Sequence, residues 1–144
     1  MATMEQFARN IRVRGRNVET NTDLLVRRAA LLVDQAIVLA TPVDTGRARS
    51  NWRVSLGVSV PGVIEPYSPG KKLGLGEGAN AAAAISQAKT QILRRRNGQN
   101  IYITNNVLYI GDLNDGTSSQ AGSNFVEKAI MAGVSSIRGA RVVK

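Results

Sequence analysis

Few residues of this chain have the types and spacing that catalysis needs, and the first candidates form the triplet Asp44-Thr45-Gly46. The same triplet carries the catalytic carboxylate of aspartic proteases, in which two aspartates share one proton inside a buried turn. Here it follows Pro42 at the end of a helical pattern and precedes two arginines. We therefore expect Asp44 to be an ion-paired turn residue, and a retroviral-type aspartic protease is the less favoured hypothesis.

A glycine-rich run over residues 70–78 could hold phosphate, and so could the arginine run 94–96. The glycine run lacks the G-x-x-x-x-G-K-[ST] order of a nucleotide-binding loop, because Lys71 and Lys72 stand at its start instead of its end. We interpret it as a flexible basic loop. The arginine run falls where a helix is predicted to end, a place that the helix dipole favours for cations, and we interpret it as a solvated helix end.

The composition excludes many catalytic chemistries, because the 144 residues include no cysteine and no histidine. Disulfides, thiol nucleophiles, imidazole bases and the usual zinc ligand sets are thereby excluded, and we predict no enzymatic activity and no cofactor. The length suits one domain. No run approaches the roughly 20 apolar residues of a membrane span. The first residues lack a secretory pattern, so we expect a soluble protein made in the cytoplasm.

The net charge of +9 suits an anionic partner such as nucleic acid or an acidic protein surface. A solvated basic surface that aids solubility explains it equally well. Aromatic residues make up only 4% of the chain, which leaves little material for stacking bases. Sequence-specific recognition is therefore disfavoured, whereas a nonspecific basic DNA-binding protein stays open as an alternative.

Apolar stripes at helical spacing predict three helices, each preceded by a residue that can cap it. The firmest is the first, whose two adjacent stripes end just before Pro42. The predicted spans are Thr22–Ala40 with Thr20 or Thr22 as the cap, Asn80–Arg96 with Asn80 as the cap, and a helix to about Met131 or Gly133 that opens on a capping box of Asn124 and Glu127.

Alternation with period two predicts a half-buried strand over Asn51–Val60, with Trp52 on the buried face and Arg47 and Arg49 pointing outward. A second strand is predicted over residues 100–104, with a continuation over 107–110 left open. Between them, prolines and glycines predict a long loop, 62–78, that is flexible.

Together these elements predict an α+β fold in which a long N-terminal helix packs on an antiparallel sheet. We place this single domain at residues 20–137, between a basic N-terminal arm, 1–19, and a basic tail, 138–144.

Two separated segments resemble the neck and tail-completion proteins of long-tailed bacteriophages. The first is Thr41–Trp52, and the second lies between Asn105 and Ala121. They occur in the order typical of the family, which makes the pair more specific than either alone. The chain departs from the pattern at Leu108 and at Gly122-Ser123, where proline is common. The residues that carry the second match are Asn105, Asn106, Tyr109, Ile110, Leu113, Gly116, Ser118, Gln120 and Ala121.

The resemblance implies a structural virion protein that forms a ring, expected to be hexameric, at the junction of head and tail. Its implied partners are copies of itself, the connector proteins on the portal side, and the tail tube or terminator proteins. Transient contact with genomic double-stranded DNA is left open, and no membrane is implied. The implied location is the virion neck, after assembly in the host cytoplasm.

A ring needs contacts between two different surfaces of each subunit, so we assign polar residues of the two segments and the long loop to assembly. The predicted interface residues are Asp44, Arg47, Arg49, Lys71, Lys72, Asn114, Ser118 and Gln120. The residues predicted to have structural roles are Thr45, Gly46, Trp52, Tyr109 and Gly116.

Overall fold

The computed structural model describes residues 3–42, 46–68, 77–117 and 122–141. In this part of the chain, helices dominate and two short strands pair, so the predicted α+β class is confirmed. In chain order the elements are α1 (Met4–Ala40), α2 (Arg47–Ser50), β1 (Arg53–Leu56), α3 (Glu77–Leu93), β2 (Ile101–Thr104), α4 (Ile110–Asn114) and α5 (Phe125–Ser135).

Helix α1 has 37 residues and begins far ahead of the predicted start at Thr22. Its cap is Thr3, whose hydroxyl accepts a hydrogen bond from the Gln6 N–H at 3.2 Å while the Gln6 side-chain oxygen accepts from the Thr3 N–H at 2.8 Å. This is a capping box, so the prediction that Thr20 or Thr22 caps the helix is wrong. The apolar stripes weaken toward the N-terminus because that part of the helix has nothing to pack against, and not because the helix has ended.

The N-terminal part of α1 projects from the rest of the protein. Met4 is 80% exposed and Phe7 is 57% exposed, and only Ala8 and Val18 are half-buried between Thr3 and Glu19. The segment predicted to be a basic arm is therefore a helical extension of the long helix. Its exposed cations are Arg9, Arg12, Arg14 and Arg16.

Strands β1 and β2 pair antiparallel, with Arg53 opposite Thr104 and Leu56 opposite Ile101. The strand predicted to reach Val60 stops at Leu56, because Gly57 adopts a positive φ of 78° that turns the chain away. Val58, predicted to face inward, is 71% exposed. The second strand has the predicted position, but it does not continue over residues 107–110, which lead into α4 instead.

The core lies between α1, α3, α5 and the sheet. Trp52 is only 5% exposed and packs in one cluster with Ile37 and Val38 of α1 and Phe125 of α5. Helix α3 presents alanines to this core, and such small side chains let helix backbones approach closely. The apolar stripe of α3 is buried at Ala81, Ala84, Ala88 and Ile92.

The same core contains a carboxyl group. Asp34 of α1 is fully buried, and neither of its side-chain oxygens has a hydrogen-bond partner in the described part of the chain. Burial without a partner disfavours the charged form, and it raises the pKa of Asp34 to about 7.

Replacing Trp52 with alanine is expected to lower the free energy of unfolding by about 3 to 5 kcal/mol, because it leaves a cavity among Ile37, Val38 and Phe125. Urea denaturation of both proteins measures the difference. Leu108→Ala is the control, since this side chain is fully exposed and its removal should change stability little. A Trp52→Ala protein as stable as the parent would contradict the placement of Trp52 in the core.

Asp34 should make the protein less stable as the pH rises. The folded-state pKa of about 7 exceeds the ordinary value of about 4 for the unfolded chain, so between these values the folded protein binds more protons. The free energy of unfolding should therefore fall from pH 4 to pH 7, by an amount on the order of a few kcal/mol. Over the same pH range, the free energy of unfolding of Asp34→Asn should fall less steeply in denaturation experiments. An unchanged pH dependence would show that other groups cause it.

Candidate functional site

The two segments on which the expected family resemblance rests, Thr41–Trp52 and residues 105–121, contact each other through their described residues. The Asn105 side-chain amide donates to the Ala48 carbonyl at 2.8 Å, and its oxygen accepts from the Val107 N–H at 3.1 Å. The pairing of Arg53 with Thr104 continues this contact into the sheet. Segments more than 50 residues apart in sequence therefore form one structural unit.

Three side chains of the first segment organise the C-terminal end of α1. Thr41 donates its hydroxyl proton to the Ile37 carbonyl at 2.6 Å and accepts a hydrogen bond from Trp52 Nε1 at 2.7 Å. Arg49 donates from Nη2 to the carbonyls of Leu39 and Thr41 at 3.0 and 3.1 Å. Arg49 thereby supplies a donor to the Leu39 carbonyl, which the helix end leaves without an intrahelical partner, whereas the Ile37 carbonyl also accepts the Thr41 N–H at 3.0 Å.

The prediction that Arg49 points outward is therefore wrong, because its side chain is only 5% exposed. Residues 47–50 form a helical turn, α2, instead of extending the strand, so alternation with period two does not apply to them. Arg47, on the same turn, is exposed, and its assignment to an interface stays a prediction.

Three side-chain amides each pair with both backbone groups of one distant residue, and we call these pairs the amide brackets. In each bracket the side-chain NH₂ donates to the backbone carbonyl and the side-chain oxygen accepts from the backbone N–H, as a neighbouring strand would. The brackets are Asn51 with Ile64, Asn80 with Ser68, and Gln87 with Val54, at distances of 2.7 to 3.0 Å.

The bracket at Asn80 explains two departures from the sequence predictions. Asn80 does not cap α3, because the helix begins at Glu77 and the Asn80 side chain is fully buried, where it also accepts from the Ser50 hydroxyl at 2.9 Å. The described part of the predicted flexible loop, 62–68, is held in place at Ile64 and Ser68. A buried asparagine within a helix has no periodic signal, so the sequence alone did not reveal this role.

Gly46 lies where no other residue would fit. Its φ is +84°, and a Cβ at this position would lie 2.1 Å from Nδ2 of Asn80. Gly116 also has a positive φ, +92°, and a Cβ there would lie 3.1 Å from the Ser123 side chain. Both glycines are therefore required by backbone conformation and by close neighbours.

Asn114, assigned to the interface, joins α4 to α5. Its oxygen accepts from the Val126 N–H at 2.9 Å, and its NH₂ donates to both carboxylate oxygens of Glu127 at 2.9 and 3.1 Å. This hydrogen bond lowers the pKa of Glu127. The predicted capping box of Asn124 and Glu127 is wrong, because Asn124 adopts a left-handed φ of 61° and makes no side-chain cap.

The surface that both segments expose is apolar. Arg47, Val63, Val107, Leu108 and Tyr109 line a cavity of about 300 Å³. Leu108 is fully exposed, and Tyr109, predicted to be structural, is 41% exposed. The other predicted site residues lie outside the described residues: Asp44, Thr45, Lys71, Lys72, Ser118 and Gln120.

Within the described ranges, no three acidic side chains cluster so as to hold a metal ion. In the same ranges, no helix has the length and apolar character that a membrane span requires.

Gly46→Ala should destabilise the protein more than Gly57→Ala, its matched control. Both glycines have a positive φ, near 80°, so both variants carry the cost of a left-handed alanine, about 1 to 2 kcal/mol. Only at position 46 must Asn80 move and release its bracket, which costs about 1 to 3 kcal/mol more. Urea denaturation measures both differences. Equal losses would show that the Asn80 bracket contributes nothing to stability.

Known proteins give no further basis for assigning a role to this site. No protein-family model, no curated protein and no solved structure matches this chain.

Proposed function

We propose that the protein is a structural virion subunit that forms a ring at the head–tail junction of a tailed phage and joins the head connector to the tail tube. The observation that carries the proposal is the contact between the two segments that resemble neck proteins, made by Asn105 with Ala48 and by the paired strands. This contact gives the two matches a common place in the fold, as a shared role in assembly requires.

The way the first segment uses its polar residues also supports a structural role. Arg49 and Trp52 hold the end of α1, and Asn51 holds residue Ile64. Arg49 and Asn51 donate to backbone carbonyls and Trp52 donates to the Thr41 hydroxyl, so these groups are engaged within the fold and do not face a substrate. We therefore propose no catalytic activity, no cofactor and no metal for this protein.

A ring subunit in the neck would contact copies of itself, the connector above it and the tail proteins below it. The apolar surface at Val63, Leu108 and Tyr109, with Arg47 beside it, is a reasonable part of such a contact because exposed leucine and tyrosine gain from burial.

The alternative, nonspecific DNA binding, is favoured by one feature, the exposed arginines on the projecting part of α1. Arg9, Arg12, Arg14 and Arg16 all reach solvent. In a ring, such residues can face passing DNA without holding it tightly. Gel shifts over a salt series distinguish the two roles, because phosphate contacts weaken steeply as salt rises. Tight binding at high salt would favour the alternative.

Electron microscopy of particles labelled on this subunit should show a ring with rotational symmetry at the neck, expected to contain six copies. Particles from a strain with Asp44→Asn should assemble as the parent does, because the proposal gives this carboxyl no chemical task. A twofold dimer, together with loss of proteolytic maturation in Asp44→Asn, would contradict the ring and support the aspartic protease.

A further inference from the structure

We infer that adjacent copies of this chain contact each other head to tail, with the outer face of α4 on one copy docked in the groove between α1 and α3 on the next. This inference rests on the proposed ring and names the two surfaces that would build it.

The first surface, the α1–α3 groove, is an apolar depression of about 520 Å³. Two of the leucines that line it are largely exposed to solvent, Leu24 at 58% and Leu93 at 72%. An apolar area of this kind on a folded protein marks a contact site. The groove is lined by Leu24, Arg27, Arg28, Leu31, Leu32, Lys89, Ile92 and Leu93.

The rim of the α1–α3 groove carries free positive charge. Arg27 is occupied, because its Nε lies 2.7 Å from Asp23 Oδ2 and its Nη1 and Nη2 donate to the carbonyls of Leu93 and Arg95. Arg95 also pairs with Asp23. Arg28 and Lys89 are exposed and have no ion-pair partner among the described residues. The groove therefore offers an apolar floor beside two unpaired cations.

The second surface, which we call the α4 face, is formed by Asp112 in α4, by Leu108 two residues before the helix and by Asp115 directly after it. These residues are spaced four and three apart along a run of helical hydrogen bonds, such as Leu113 N–H to the Tyr109 carbonyl at 3.1 Å, so they share one face. All three are exposed, whereas Leu113 on the other side packs against the core. Neither carboxylate has a partner in the described part of the chain.

The two surfaces are complementary in both properties. The α4 face combines one fully exposed leucine with two free carboxylates, on a chain whose net charge is +9. The α1–α3 groove combines leucines with two free cations. Opposite charges around an apolar contact favour this pairing over others and fix its register. The projecting part of α1 is a poorer occupant, because its four arginines would face Arg28 and Lys89.

The two surfaces have no residue in common, so the contact they form is heterologous. On the opposite side of α4, Ile110 and Leu113 pack against the cluster that contains Ile37 near the C-terminal end of α1, whereas the groove is lined by the middle of that helix. Each copy therefore uses one surface and leaves the other free for the next copy. Repetition of this contact closes a ring when the rotation that relates adjacent copies divides a full turn into a whole number of steps.

Two double variants test the contact. Variant A, Asp112→Lys with Asp115→Lys, reverses the α4 face, and variant B, Arg28→Glu with Lys89→Glu, reverses the groove rim. Analytical ultracentrifugation of the full chain should show that each variant alone self-associates at least about tenfold more weakly than the parent. An equimolar mixture of A and B should recover association, because each junction in it again joins opposite charges.

The controls keep the same charge change at other exposed sites. Glu5→Lys with Glu65→Lys matches variant A, and Arg12→Glu with Lys128→Glu matches variant B. Both controls should associate like the parent, and thermal melts of all variants should show that they fold.

Several outcomes would overturn the inference. If A and B associate like the parent, the copies use other surfaces, and a ring in the particle then stands without this contact. A parent chain that stays monomeric at millimolar concentration removes the contact outright. If such a monomer binds a synthetic helical peptide with a leucine face and glutamate flanks, but not its lysine-flanked counterpart, the groove belongs to a different partner.

Discussion

The constraint on which this structure depends is that a buried backbone amide needs a hydrogen-bond partner. The sheet has only two strands in the described residues, too few to supply partners for the irregular segment that follows β1. The amide brackets provide them. Asn51 and Asn80 fix the segment at two points, and Gln87 fixes β1 itself to α3. Side-chain amides thus supply the hydrogen bonds that the backbone of a further strand would supply in a larger sheet.

The brackets also explain why so many residues of the first segment have fixed identities. Gly46 must lack a side chain because Asn80 occupies its space, and Asn51 must carry both a donor and an acceptor. Arg49 must reach two carbonyls at the end of α1. A motif of this kind resembles a binding site in sequence, yet its described polar groups other than Arg47 face inward. What the described structure leaves for contact with other proteins is chiefly charge and leucine on the helices.

Periodic features were the predictable part of the fold. The end of α1 at Ala40, the position of β2 and the burial of Trp52 follow from stripes, alternation and Pro42, each a local signal. The start of α1 did not, because its apolar residues, such as Phe7 and Ile11, are interleaved with arginines in a spacing that fits a strand as well as a helix. The burial of Arg49 and Asn80 depends on contacts with residues far away in sequence or on the exact helical turn that α2 adopts. No local pattern encodes such contacts.

The projecting part of α1 is a continuation of the anchored helix and not a flexible tail. At a rise of about 1.5 Å per residue, the stretch before Thr20 reaches roughly 25 Å beyond the body of the protein. Because it continues a helix already anchored in the core, it does not need a nucleation step of its own. A molecule that binds the tip therefore meets a surface whose orientation is fixed by the helix. Little of the chain has to become ordered when it binds. Force applied at Met4 would be transmitted along one continuous helix to the residues that surround Asp34.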